Sequence, residues 1–289
     1  KPIDDVEEEG EVPGADESVA RQGETARQAE WRDEISKTGI RGKAGQYINF
    51  TRVEPLAGTR WLHADGEMEG EEPQRVVISF GPEYAPMEQR QVALALEEAQ
   101  RLVPKPKLVV FAAFQFDPEA AKDIDETNWP GVTLLKAQMN ADMLTEDLKK
   151  KRASNESFWL IGQPDVELEK IKGGKEKGRY RIALGGFDYY NTRTGDIESG
   201  GPEKIAMWML DPDYDGRSLF PRQVFFPMAG PEDGWGKLAK NLKAEINEEM
   251  IEGYRGKISL PFESGGHGRA AVKIVDDRGI ESFKVVPLS

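Results

Sequence analysis

Apolar positions fall into a regular pattern only after a long polar start. Residues 1–30 (KPIDDVEEEGEVPGADESVARQGETARQAE) are acidic, rich in Gly and almost free of large apolar side chains. Such a stretch buries too little to offset the entropy of ordering, so the sequence predicts a flexible acidic tail or linker over about residues 1–40. From Gln74 onward the pattern changes. RVVISF (75–80) and LVVFAAFQF (108–116) are continuous apolar runs rich in β-branched and aromatic residues, as strands covered on both faces require. Between them, residues 87–103 carry Val92, Leu94, Ala95, Leu96, Ala99, Leu102 and Val103, with Glu97, Glu98 and Arg101 opposite. That spacing predicts an amphipathic helix.

A second helix opens at Asp117-Pro118, where Asp caps and Pro occupies the first turn. A strand GVTLLKAQ (131–138), a helix over 143–152 and a strand SFWLIG (157–162) follow. Strands alternating with helices predict an α/β fold, a mostly parallel sheet with flanking helices over about 75–162, within a Rossmann-like α/β domain at 41–165. Beyond Gly162 the pattern becomes a β-rich α+β domain, 166–289. RYRIALGGFDYY, KIAMWML and RQVFFP read as strands, residues 234–254 as one helix, and the last two strands as a hairpin around Asp277-Arg278-Gly279.

The chain has 289 residues, 38% apolar and 31% charged. No run approaches the roughly 20 apolar residues of a membrane span and the start lacks a signal-peptide pattern, so a cytoplasmic protein is the expectation. Beginning on Lys1 rather than Met, the chain reads as a piece of something longer. Cysteine is absent, which removes disulfides, thiolate nucleophiles and cysteine-ligated metals. His63 and His267 stand far apart outside any HExxH spacing, and no metal site is expected. A net charge of −13 argues against a surface that wraps nucleic acid throughout, leaving two local basic stretches, 149–152 and 170–181.

The run Asp211-Pro212-Asp213-Tyr214-Asp215-Gly216 admits three readings. It matches the first half of an EF-hand loop, but Arg222 stands where the bidentate Glu is needed. It is one letter from the Asp-Pro-Pro-Tyr of amino-DNA methyltransferases, without the glycine-rich turn that the cofactor needs. The simplest reading is a turn whose Asp side chains accept backbone N–H bonds and whose Gly216 takes positive φ.

Open α/β sheets bind ligands beyond the carboxyl ends of their strands. Glu83, Gln115, Asp117, Gln138 and Asn140 occupy those ends and are the ligand-edge candidates, although Asp117 serves equally as a helix cap. The cluster Lys149, Lys150, Lys151 and Arg152 is placed to hold phosphate, with Asn155 and Gln138 placed to read base edges. Phe158 and Trp159 are expected in the core.

The strings NFTRVEPLAGTRWLHADGE (49–67), SFGPEYAPMEQRQVALALEEA (79–99), VVFAAFQFDPEAAKDIDE (109–126) and LLKAQMNADMLTEDLKKKRASNESFWLIGQPDVEL (134–168), with DPDYDGRSLFPRQVFFP, together resemble the C-terminal region of adenine-specific DNA methyltransferases. These are Mod-like proteins of restriction-modification type, and the resemblance spans about residues 40–289. It implies a catalytic half upstream that uses S-adenosylmethionine. This region lacks that half's motifs, so no catalytic residue carries over and no cofactor is expected within it. The implied role is accessory: binding DNA or docking the catalytic region or a partner subunit. Two alternatives of other classes remain, a free-standing Mg²⁺-dependent phosphoryl- or phosphodiester-transfer enzyme using Glu83, Asp117 and Asp142, and a non-catalytic interaction scaffold.

Overall fold

The computed structural model describes residues 17–144, 157–192, 194–199, 201, 204–228 and 256–288. Of the helix predicted over 143–152 only residues 143 and 144 are described, in a 3-10 turn (Ala141–Leu144), and the helix predicted over 234–254 lies outside those residues.

The chain is mostly β, and the expected helix-flanked, mostly parallel Rossmann-like sheet is not what forms. Eight strands make one nearly closed mixed sheet: β1 (Ile40–Arg41), β2 (Tyr47–Ile48), β3 (Phe50–Pro55), β4 (Ala64–Met68), β5 (Gln74–Phe80), β6 (Leu108–Ala113), β7 (Thr133–Met139) and β8 (Phe158–Leu160). Their order is β2-β1-β8-β7-β6-β5-β4-β3. The three runs read as parallel strands do pair in parallel, β5 with β6 and β6 with β7. The crossovers between them are helices α2 (Gln89–Gln100) and α3 (Pro118–Glu126). Around this centre the sheet turns antiparallel, β3 with β4, β4 with β5 and β7 with β8. Residues 56–63 and 69–73 are too few for a crossover, which takes a dozen residues or more, so β3, β4 and β5 can only meander. β4 reads ADGEM and escapes a search for apolar runs, yet its burial alternates residue by residue as a half-covered strand requires.

Helix α1 (Glu17–Thr38) occupies most of the stretch read as a tail. Trp31 and Ile35, four residues apart, enter the main core beside Phe80, Leu108 and Val110. The Trp31 ring lies 5.9 Å from that of Phe80 and 5.6 Å from that of Phe114. Two large side chains on one stripe anchor a helix whose other faces are polar. Gly39 ends it at φ +65°, its N–H donating to the Ile35 carbonyl at 2.9 Å; an added Cβ would stand 2.5 Å from the Ile48 carbonyl oxygen. The opposite face of the sheet is covered by α2 and α3 through Val92, Ala95, Ala99, Ala120 and Ile124.

The remainder of the described residues builds two antiparallel sheets. One contains β9 (Gln163–Lys170), β10 (Tyr180–Tyr190) and β11 (Ile197–Ser199). The other contains β12 (Ile205–Asp211), β13 (Gln223–Phe225), β14 (Arg269–Asp276) and β15 (Glu281–Pro287), in the order β13-β12-β14-β15. A shared core joins them, centred on Trp208 stacked on Phe225 at 4.1 Å. The expected hairpin is β14–β15, with Gly279 at φ +82° in its turn. Among the described residues, no helix is long and apolar enough to cross a membrane.

Candidate nucleic-acid interface

The carboxyl ends of β6 and β7 open into a cleft of about 930 Å³, closed on its far side by the β14–β15 hairpin. Gln115, Gln138 and Asn140, three of the ligand-edge candidates, line it together. Gln115 is exposed. Gln138 turns its amide nitrogen to the Phe114 carbonyl, which makes it a brace of the cleft wall. Asn140 accepts the Asp142 N–H at 2.9 Å through Oδ1. Asp117 is the helix cap, Oδ1 accepting the Glu119 N–H at 2.9 Å. Glu83 lies away from the cleft, paired with Arg27 of α1 at 3.2 Å. Lys149, Lys150, Lys151, Arg152 and Asn155 lie outside the described residues. The second basic stretch is the β9–β10 turn, where Arg179 is tied to Glu176 and Glu263.

Pairing register adds what sequence could not. Arg41 of β1 stands directly opposite both Tyr47 of β2 and Trp159 of β8, and Trp159 stands opposite Gln138 of β7. Directly paired residues share a face, so Tyr47, Arg41, Trp159 and Gln138 form one row across four strands. Their neighbours Ile40, Ile48, Phe158, Leu160 and Met139 point to the buried face. Phe158 is therefore core as expected, while Trp159 faces the cleft.

Beside this row lies a second, smaller cavity of about 260 Å³, lined by Arg41, Lys43, Trp159, Tyr189, Lys204, Asp277 and Arg278. The Arg41 guanidinium carbon sits 4.3 Å from the Trp159 ring centre, that of Arg278 5.2 Å from the same ring, and the Lys43 ammonium 4.9 Å from the Tyr189 ring. Cations at this range are attracted to the ring faces. Arg278 is held by Asp276, at 2.6 and 2.8 Å, and Lys204 meets Asp277 at 3.4 Å. Burial pushes the Tyr189 phenol up to about 12, so it faces the cavity neutral. Arg41 and Lys43 are parted by Gly42 and Lys204 stands far along the chain, so no basic run signals them. The floor of the main cleft carries a buried ion pair, Lys136 Nζ to Asp125 Oδ2 at 2.5 Å. Burial, outweighing the lysine, holds the Asp125 carboxyl above the usual range.

The Asp211–Gly216 run is a turn. Asp211 is buried and accepts the N–H groups of Asp213 at 3.0 Å and Phe220 at 2.8 Å. Asp215 accepts those of Arg217 and Ser218, and Gly216 has φ +86°. Asp213 accepts the His267 N–H at 2.9 Å. These backbone donors hold the Asp213 and Asp215 carboxyls below their usual range. Tyr214 is fully buried against Phe283, 5.5 Å between ring centres, and offers no face to a base. Among the described residues no three His, Cys, Asp or Glu side chains gather where they could hold a metal, and Glu83, Asp117 and Asp142 do not form such a group.

No family model matches the chain, and neither does any curated protein or solved structure.

Proposed function

We propose that this chain binds nucleic acid through the small cavity, as the accessory region of an adenine-specific DNA methyltransferase whose catalytic residues lie upstream. The supporting observation is that Arg41, Lys43, Lys204 and Arg278 gather around Trp159 and Tyr189 on a chain whose net charge is −13. Such a chain has no general attraction for phosphate, so binding must come from a local concentration of cations. Guanidinium groups beside aromatic rings supply both charge and stacking planes, the two elements with which nucleic-acid strands are held. In this reading S-adenosylmethionine and the methyl transfer belong to the upstream region, and the setting is cytoplasmic.

The experiment is fluorescence anisotropy of labelled DNA over a salt series, on the unaltered chain and on Arg41→Gln/Lys43→Gln/Lys204→Gln. Arg278 is left in place because it braces the hairpin turn. The variant is expected to lose roughly tenfold or more in affinity near about 100 mM salt, and its log–log salt slope to fall by about 0.7 to 0.9 for each contact removed. An unchanged slope would refute the site. Absence of binding by the unaltered chain would leave docking of a partner subunit as its role.

A further inference from the structure

The small cavity and the main cleft share a wall, for Trp159 and Arg278 line both. A ligand that fills the two must pass over the Trp159 ring. On one side it meets Arg41, Lys43 and Lys204; on the other it meets the exposed amide of Gln115 and the side chain of Asn140. Resting on the nucleic-acid reading above, we propose that this double cavity takes an unpaired nucleotide of a single strand. The phosphate sits in the small cavity, and the base passes beyond Trp159 into the cleft.

Four observations select a single strand over a duplex. The main cleft, at about 930 Å³, lies in the range of pockets that enclose small molecules, the cavity beside it is smaller still at about 260 Å³, and a double helix fits neither. The Trp159 indole, with the Arg41 and Arg278 guanidinium groups 4.3 and 5.2 Å from its centre, forms a group of flat cationic and aromatic planes of the kind on which an unpaired base stacks, whereas paired bases keep their faces inside the duplex. The exposed amide of Gln115 and the side chain of Asn140 line the cleft beyond the strand that pairs with Trp159, and amides of this kind meet base edges rather than phosphate. The chain's net charge of −13 opposes the extended backbone contact on which duplex binding depends.

The test uses the full chain with two labelled probes, an oligothymidylate of about 12 nucleotides, within the site sizes of single-strand binders, and a blunt duplex of equal length. The single strand is expected to bind about tenfold more tightly or better, given the stacking it adds. Trp159→Ala should weaken single-strand binding by roughly five- to 150-fold while leaving its salt slope unchanged, and Trp159→Phe should restore most of the loss. Should Trp159→Ala fail to fold, tryptophan quenching decides: unlabelled oligothymidylate must quench the unaltered chain, and Trp159→Phe must abolish most of that signal. Equal or tighter duplex binding, or single-strand binding indifferent to Trp159, overturns the inference but leaves the nucleic-acid reading standing. Binding of neither probe removes both.

Discussion

Arg41 and Trp159 face each other across the parallel pairing of two very short strands, β1 and β8, with the guanidinium carbon 4.3 Å from the indole centre. Chain segments more than a hundred positions apart are thus joined at a half-buried contact that also edges both cavities. A double-mutant cycle of Arg41→Ala and Trp159→Ala, read by urea unfolding, should return a coupling of about 0.5–1 kcal/mol. Strict additivity of the two changes would show that the guanidinium does not rest on the ring.

His63 makes stability fall in mild acid. Its Nδ1 accepts the Phe80 N–H at 2.9 Å, and burial pushes the imidazole down to about 4. Between pH 6.5 and 4 the unfolded chain binds a proton here that the folded chain does not, so folding weakens as pH falls through that window. The loss attributable to His63 should reach on the order of 3 kcal/mol by pH 4. His63→Asn, whose side-chain oxygen can replace Nδ1 as acceptor, should flatten that part of the stability profile. Parallel profiles for the two proteins over pH 4–6.5 would contradict a neutral, buried imidazole.

The buried pair Lys136–Asp125 fixes α3 to β7 beneath the cleft. Removing one partner leaves an uncompensated charge, and Lys136→Met should destabilise the fold by about 3–5 kcal/mol. The double change Lys136→Met/Asp125→Leu should recover most of this, because no charge remains to be paired. Denaturation midpoints of the two variants provide the comparison, and equal losses in both would indicate a packing effect instead.

Asp211 acts through two backbone N–H groups rather than through a cation. Asp211→Ala should cost about 2–3 kcal/mol by leaving those donors unsatisfied in a buried turn. Calcium should leave the melting temperature of the unaltered chain unmoved. A calcium-dependent rise that disappears in Asp211→Ala would restore the metal reading of this loop.

Much of the local structure is legible in the residues alone. RVVISF and LVVFAA must be buried strands because their apolar runs are nearly continuous. The helices after them follow from apolar spacing and from the Asp117 cap, and strands so connected pair in parallel. The β14–β15 hairpin and the Asp211–Gly216 turn follow from local turn chemistry. That Gln115, Gln138 and Asn140 share one edge also follows, since strand order places their strand ends side by side. Tertiary structure decided the rest. ADGEM carries too few apolar side chains to announce β4, and only its pairing between β3 and β5 makes it a strand. The polar start becomes α1 because Trp31 and Ile35 find a core built by residues far along the chain. Arg41, Lys43, Lys204 and Arg278 form no pattern in one dimension; pairing and packing of three sheets bring them to the rings of Trp159 and Tyr189. Short-range periodicity specifies which face of a segment is apolar, but which faces meet is settled by non-local pairing, and the cavities exist only there.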